Sequence, residues 1–216
     1  VSGTSLTYAH TCTGSNLILW VGVTKFLDDV TGVTYGGTPM SLGIKKQGTG
    51  SGNFNVYLFY LINPATGAND VVVSATVLGS MRSMAVSYTG AKQSGQPDSS
   101  ASVQNVAVLG NAESSVSTTS VADNSWTVMF ARASGTGVSM TAGTGTTLRK
   151  TANVTSTVGL FDSNAAITPA GSTALIAKVD NGTQDFVHVI ASFSPSTGEL
   201  VGVNGTQYTE QEALNI

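Results

Sequence analysis

Charge is what this chain has least of. Asp, Glu, Lys and Arg make up 10% of its 216 residues, against roughly 25% in an ordinary soluble domain. Nine Lys and Arg face twelve Asp and Glu, for a net charge of −3. There is no run of five or more basic residues, which argues against nucleic acid as a partner. The longest apolar stretches, 17–23 and 56–62, are far shorter than the ~20 residues a bilayer-spanning helix needs, so membrane insertion is not expected. The single cysteine, Cys12, excludes an internal disulfide and a thiolate metal cluster. It reads as a small buried residue, with a bridge to another chain as the alternative.

Histidine is nearly as scarce. His10 and His188 are the only two, and no Gly-x-Ser-x-Gly elbow accompanies them. His188 reads as a packed strand residue. Zinc would need more Cys and His than the chain holds. Calcium would need a loop dense in carboxylates, and only Asp28, Asp29 and Asp180 sit where one could contribute. Carboxylates for glycoside hydrolysis would come from Glu113, Asp123, Asp162, Asp185 and Glu199. All but a few of these fall at predicted strand ends or turns, so solvated carboxylates are expected rather than a paired site. The glycine-rich stretch 48–52 precedes a strand and so lacks the helix N-terminus of a phosphate cradle. No cofactor, no metal and no enzymatic activity are expected.

What takes the place of charge is hydroxyl: 26 Ser and 29 Thr, with 25 Gly. So neutral a surface suits a subunit surrounded by copies of itself, or a protein outside the cell. Strand signals follow one another at 5–10, 16–24, 31–35, 40–45, 53–62, 70–77 and 80–88, then at 114–121, 125–132, 138–142, 146–151, 155–161, 172–179 and 185–193. Segment 91–102 is polar and reads as a long connection. Gly36-Gly37, Asp123-Asn124 and Asp180-Asn181-Gly182 read as tight reversals. No stretch before residue 195 carries a helical apolar period. The expectation is all-β: a two-sheet antiparallel jelly-roll sandwich over 1–195. In 185–193, Val187, Val189, Ala191 and Phe193 fall on one face and Phe186, His188 and Ile190 on the other. Burial on both sides makes this a central strand, and Trp20 with its neighbours reads the same way.

Residues 196–216 form a C-terminal tail of different character. A short strand at 198–203, the Asn204-Gly205 turn, a return at 206–208 and a capping box from Thr209 to Glu212 suggest a hairpin and one helical turn. Such a tail folds back as an edge hairpin or docks on a neighbouring copy. In either case Leu200, Val201, Val203, Tyr208 and Leu214 are the candidate assembly residues. Glycosylation sequons stand at Asn153, Asn181 and Asn204. Trp20, Tyr35, Tyr57, Phe59, Tyr60, Tyr88 and Trp126 could fill the core, or could form an aromatic platform for sugars if exposed.

The segments VTGVTYGGTPM at 30–40, VYLFYLINPATGANDVVVS at 56–74 and MAVSYTGA at 84–91 carry a resemblance. TLRK at 147–150, VGLFDS at 158–163 and VHVIASFSP at 187–195 extend it. Together they resemble a module that recurs in secreted bacterial surface proteins and phage virion proteins. The resemblance implies a concanavalin-like or jelly-roll sandwich in a surface, adhesive or virion-decorating role. Its motifs are turns and loops with no catalytic residue to carry over, and the tail lies outside it. The expected function is a non-enzymatic structural subunit of a multicopy extracellular assembly, a fibre or a virion surface or tail layer. Its partners would be copies of itself. The alternative is a carbohydrate-binding or adhesive module whose partners are glycans.

Overall fold

The structure is a computed structural model that describes residues 4–26, 29–49, 54–135, 137–153, 156–197 and 201–203. The first half holds β1 (Ser5–Cys12), β2 (Ile18–Phe26), β3 (Val30–Tyr35), β4 (Thr38–Pro39), β5 (Ser41–Gln47), β6 (Phe54–Ile62), β7 (Gly67–Ala75) and β8 (Met81–Thr89). The second half holds β9 (Ser99–Leu109), β10 (Ser114–Thr119), β11 (Trp126–Ala133), β12 (Met140–Ala142), β13 (Thr147–Asn153), β14 (Thr157–Asp162), β15 (Ser172–Val179) and β16 (Thr183–Phe193). The two-residue β17 (Gly202–Val203) follows. All pairings are antiparallel.

The all-β expectation is met, but the strands divide among four sheets rather than two. Sheet I runs β1-β7-β3-β4 and sheet II β17-β8-β2-β6-β5. Sheet III runs β13-β14-β11-β16-β9 and sheet IV β10-β15-β12. Three apolar layers bind them in the order I, II, III, IV. Leu19, Val21 and Val23 of β2 pack with Val71 and Val73 between sheets I and II. Ile18 and Trp20 of the same strand pack with Val128, Phe130, Val189 and Phe193 between sheets II and III. Met129, Ala131, Phe186 and Ile190 pack with Leu175 and Val179 between sheets III and IV. The cause is the two-sided apolar character of the inner strands. Consecutive side chains point to opposite faces, so a strand apolar on both needs cover on both. Burying each large side chain is worth roughly 1.5–3 kcal/mol.

The four sheets are one arrangement used twice. Without β4, sheet I (β1-β7-β3) corresponds to sheet IV (β10-β15-β12), and the β8-β2-β6-β5 part of sheet II corresponds to β16-β11-β14-β13 of sheet III. The bulges correspond as well. Register shifts between Leu42 and Ile44 against β6, and between Leu148 and Lys150 against β14. After each half the chain crosses over. β9 follows β8 but pairs with β16, and β17 follows β16 but pairs with β8. At the crossing Ala91 bridges Pro195. Lys92 N–H donates to Ser194 O at 2.9 Å, and Ser196 N–H donates to Gly90 O at 2.7 Å. Such reciprocal bonding is the signature of a two-fold relation, here between halves of one chain.

Two expectations change, and the first described residues of the tail take up one of its two alternatives. Segment 91–102 is not all connection, because it contains the start of the eleven-residue β9. β9 lacks apolar alternation because most of its side chains are half-exposed, and only Ala101, Val103 and Val108 touch a core. Asp123-Asn124 and Asp180-Asn181-Gly182 are not hairpin turns within a sheet. The strands they join, β10 with β11 and β15 with β16, belong to different sheets. The tail's first described residues return to their own chain. Val201 is buried in the central layer, and Gly202 and Val203 pair with Thr89 and Tyr88.

The two halves meet closely at Gly22 and Phe130, which occupy equivalent places. A Cβ on Gly22 would stand 2.3 Å from Cγ of Phe130. Gly22→Ala is expected to cost about 1–3 kcal/mol through overpacking, read as a lowered denaturant midpoint. Gly32→Ala, where the added carbon meets nothing within 4 Å, should move it by less than about 0.5 kcal/mol.

Candidate functional site

The chemistry-bearing side chains are mostly locked between sheets. Tyr8 on β1 and Ser114 on β10 are equivalent, as are Ser83 on β8 and His188 on β16. Tyr8 Oη and Ser83 Oγ lie 2.8 Å apart, and Ser114 Oγ and His188 Nε2 lie 2.7 Å apart. Each pair ties an outer sheet to an inner one. Burial raises the Tyr8 hydroxyl pKa far above its ordinary value.

The Ser114–His188 pair has the spacing of a nucleophile and its base, but it sits among Phe186, Leu175 and Ile190 in the layer between sheets III and IV. The imidazole is fully buried and stacks on Phe186 at 5.3 Å. Its Nδ1 has no hydrogen-bond partner, so no third group orients the ring. Burial pushes its pKa down to about 3. His10 is also fully buried, with Nε2 3.0 Å from Ser87 Oγ. Cys12 lies fully buried in the layer between sheets I and II, where burial raises its thiol pKa. A bridge to another chain would need it at the surface.

The carboxylates are spread out. Glu113 pairs with Lys178 at 2.9 Å. Asp123 accepts from Ala170 N–H, Asp180 from Ser139 N–H and Asp185 from Ala107 N–H. Asp29 accepts from Lys45, from Tyr57 Oη at 2.6 Å and from Asn55 Nδ2 at 3.1 Å. The Lys45 and Tyr57 bonds hold its carboxyl pKa below the usual range. Asp162 is different. It is fully buried at the edge of the central layer, gripped by Arg149 through Nε at 2.6 Å and Nη2 at 2.9 Å, with Tyr88 Oη at 2.9 Å. At the opposite end of that layer two more cations are buried, Arg82 and Arg132. Arg82 Nη1 donates to Ser156 Oγ at 2.7 Å, and the Arg132 guanidinium lies 3.5 Å over the Phe54 ring. Burial and the Arg82 charge bring the Arg132 pKa down to about 10, against an opposing effect of Asp185. Among the described residues no three His, Cys, Asp or Glu side chains gather as metal ligands. Asp28, Glu199 and residues 50–52 of the glycine-rich stretch lie outside the described residues.

The aromatics went into the cores. Trp20, Tyr35, Tyr57, Phe59, Tyr88 and Trp126 are all buried, and Tyr60 is half-buried against Trp20. The large apolar side chains exposed among the described residues are aliphatic: Leu42, Val77, Leu78, Val106, Leu109 and Val121. The outward face of sheet I carries a shallow depression of about 460 Å³, lined by Ala9, Thr34, Gly36, Ala68, Asp70 and Val72. The equivalent of Asp70 on sheet IV is Ile176, whose side chain lies over Gly143.

Of the assembly candidates, Val201 is a core residue of its own chain and Val203 packs half-buried against the same core. Both therefore contribute to the central layer of their own chain. Leu200, Tyr208 and Leu214 lie outside the described residues. Asn153 and Asn181 are exposed, the first at the end of β13 and the second in the crossover before β16, while Asn204 lies outside the described residues. The residues that sequence reasoning missed are Arg82, Arg132 and Arg149. For Arg82 and Arg132, positions in strands with apolar neighbours were the available signal. No protein-family model, curated protein or solved structure matches the chain.

Two stability predictions follow from these buried groups. Asp162→Asn strips the charge that holds Arg149 and should cost about 3–5 kcal/mol in denaturant unfolding. For His188 the folded pKa lies below the ordinary 6.5, so the neutral ring favours folding. The stability is complete above the unfolded pKa and is lost as pH falls from about 6.5 toward 3. His188→Gln should flatten this loss by roughly 1 kcal/mol per pH unit, measured as unfolding free energy against pH.

Proposed function

We propose that the protein is a non-enzymatic structural subunit of a multicopy extracellular assembly, such as a fibre or a virion surface or tail layer, built by sheet edges meeting between copies. Each half is read as a jelly-roll-type sandwich, and the two are joined back to back. The observation that carries the reading is the neutrality of the outermost sheets. On sheet I the outward side chains include Ser5, Thr7, Ala9, Thr34, Val72 and Ser74, with Asp70 as the charge among them. On sheet IV they include Ser115, Ser117, Thr119, Ala174 and Ile176, with Lys178 paired to Glu113. Surfaces depleted in charge suit contacts that become buried. Because Val201 and Val203 are committed to their own chain, the contacts fall to the edge strands rather than to the start of the tail.

The second reading is a carbohydrate-binding module, and the depression beside Thr34 and Asp70 favours it. Hydroxyl, carboxylate and small side chains there could meet sugar hydroxyls, whereas the buried aromatics offer no stacking platform. Negative-stain electron microscopy with light scattering, over a range of concentrations, tests the first reading. Regular filaments or shells are expected. A monomer at every concentration overturns it and brings the sugar reading forward.

A further inference from the structure

We infer that β1 is the self-association edge: two copies pair their β1 strands antiparallel about a two-fold axis, joining two copies of sheet I into one continuous sheet. This rests on the assembly reading and names the surface and its partner, a second copy of the chain.

The direction of the backbone groups comes first. Gly36 N–H donates to Asp70 O, and Ala75 N–H donates to Thr4 O. In an antiparallel ladder each residue sends its N–H and C=O to the same side, and the sides alternate. Even-numbered residues of β7 therefore bond to β3 and odd-numbered ones to β1. By register, Leu6 and Tyr8 of β1 bond to Val73 and Val71. Ser5, Thr7 and Ala9 turn their N–H and C=O groups the other way. Among the described residues no strand lies on that side of β1.

The second half shows what a sealed edge looks like. Ser115 is the equivalent of Ala9, and its carbonyl accepts from Asn105 Nδ2 at 3.2 Å. Farther along the same edge, Ser99 Oγ donates to Thr119 O at 2.6 Å. Both caps come from β9, the strand that crosses from the first half and runs the length of β16.

The edge also lacks the usual protection. Proteins guard open edges with lysine, proline or a bulge. β1 has none of these over its eight residues, and its register with β7 is unbroken. Ser5, Thr7 and Ala9 are exposed, small and uncharged, so nothing repels an identical strand. With Thr7 opposite Thr7 of the second copy, Ser5 faces Ala9 of that copy. The outward donors and acceptors of Ser5, Thr7 and Ala9 then meet those of the second copy. A two-fold pair is self-complementary by construction.

The test is sedimentation velocity on the full chain across micromolar to millimolar concentrations, on wild type, the T7K/A9K variant and the T7E/A9E variant. Both substituted positions are exposed, and thermal unfolding checks that each variant is folded. Like charges set opposite each other destabilise a strand pair, so each variant alone should associate at least about tenfold more weakly than wild type. Mixing the two should restore a heterodimer, which a merely misfolded variant would not do. If wild type associates and T7K/A9K associates equally well, the β1 inference falls while the assembly reading stands. Association lost on truncation after Val203 but kept in T7K/A9K assigns the contact to the tail and also overturns it. A wild type that stays monomeric throughout sinks both.

Discussion

The structure depends on strands that are apolar on both faces. β2, β8, β11 and β16 expose almost nothing, and each needs a sheet above and another below. A two-layer sandwich would leave one of those faces in water. Stacking four sheets covers both faces of these central strands and leaves in water the outer faces of sheets I and IV and much of the edge strands β5 and β9. Those outer faces carry exposed serine and threonine, while others such as Ser83, Ser87, Thr127 and Ser192 are buried. The low charge and the four-layer stack are therefore two views of one distribution.

The doubled arrangement makes the central layer behave like the interface of a dimer fused into one chain. Equivalent positions meet across it, and their chemistry has diverged in complementary ways. Gly22 yields the space that Phe130 fills. Tyr88 and its counterpart Phe193 pack ring against ring at 4.9 Å. The crossing strands β9 and β17 then stitch each half to the other, so the halves share sheets as well as a core. Charge inside this layer is confined to its two ends. Asp162 with Arg149 closes one end, and Arg82 and Arg132 lie at the other, where their long stems extend along apolar surface.

That economy bears on function. Among the described residues the fold buries its histidines, its cysteine and most of its large aromatics. What remains outside is hydroxyl-rich, nearly neutral and bounded by strand edges. β9 caps the outer edge of β10, whereas among the described residues no strand pairs with the outer edge of β1.

The sequence by itself determined the class of the fold and much of its inventory. Alternation located most strands, and the two apolar faces of 185–193 marked β16 as central. Alternation reports which side chains share a face, but not which sheet a strand joins, because pairing is made between residues far apart in the chain. Asp180-Asn181-Gly182 therefore looked like a hairpin and is a crossover between sheets III and IV. β9 escaped notice because a half-exposed strand of Ser, Gln and Asn carries no apolar rhythm. The duplication was invisible for a related reason: matched positions keep their backbone roles but not their residues, as Tyr8 against Ser114 and Ser83 against His188 show. Only the tertiary structure decided that the apolar faces meet other sheets of the same chain and that the halves exchange strands. Those outcomes follow from long-range backbone hydrogen bonding, which leaves no local mark in the order of residues.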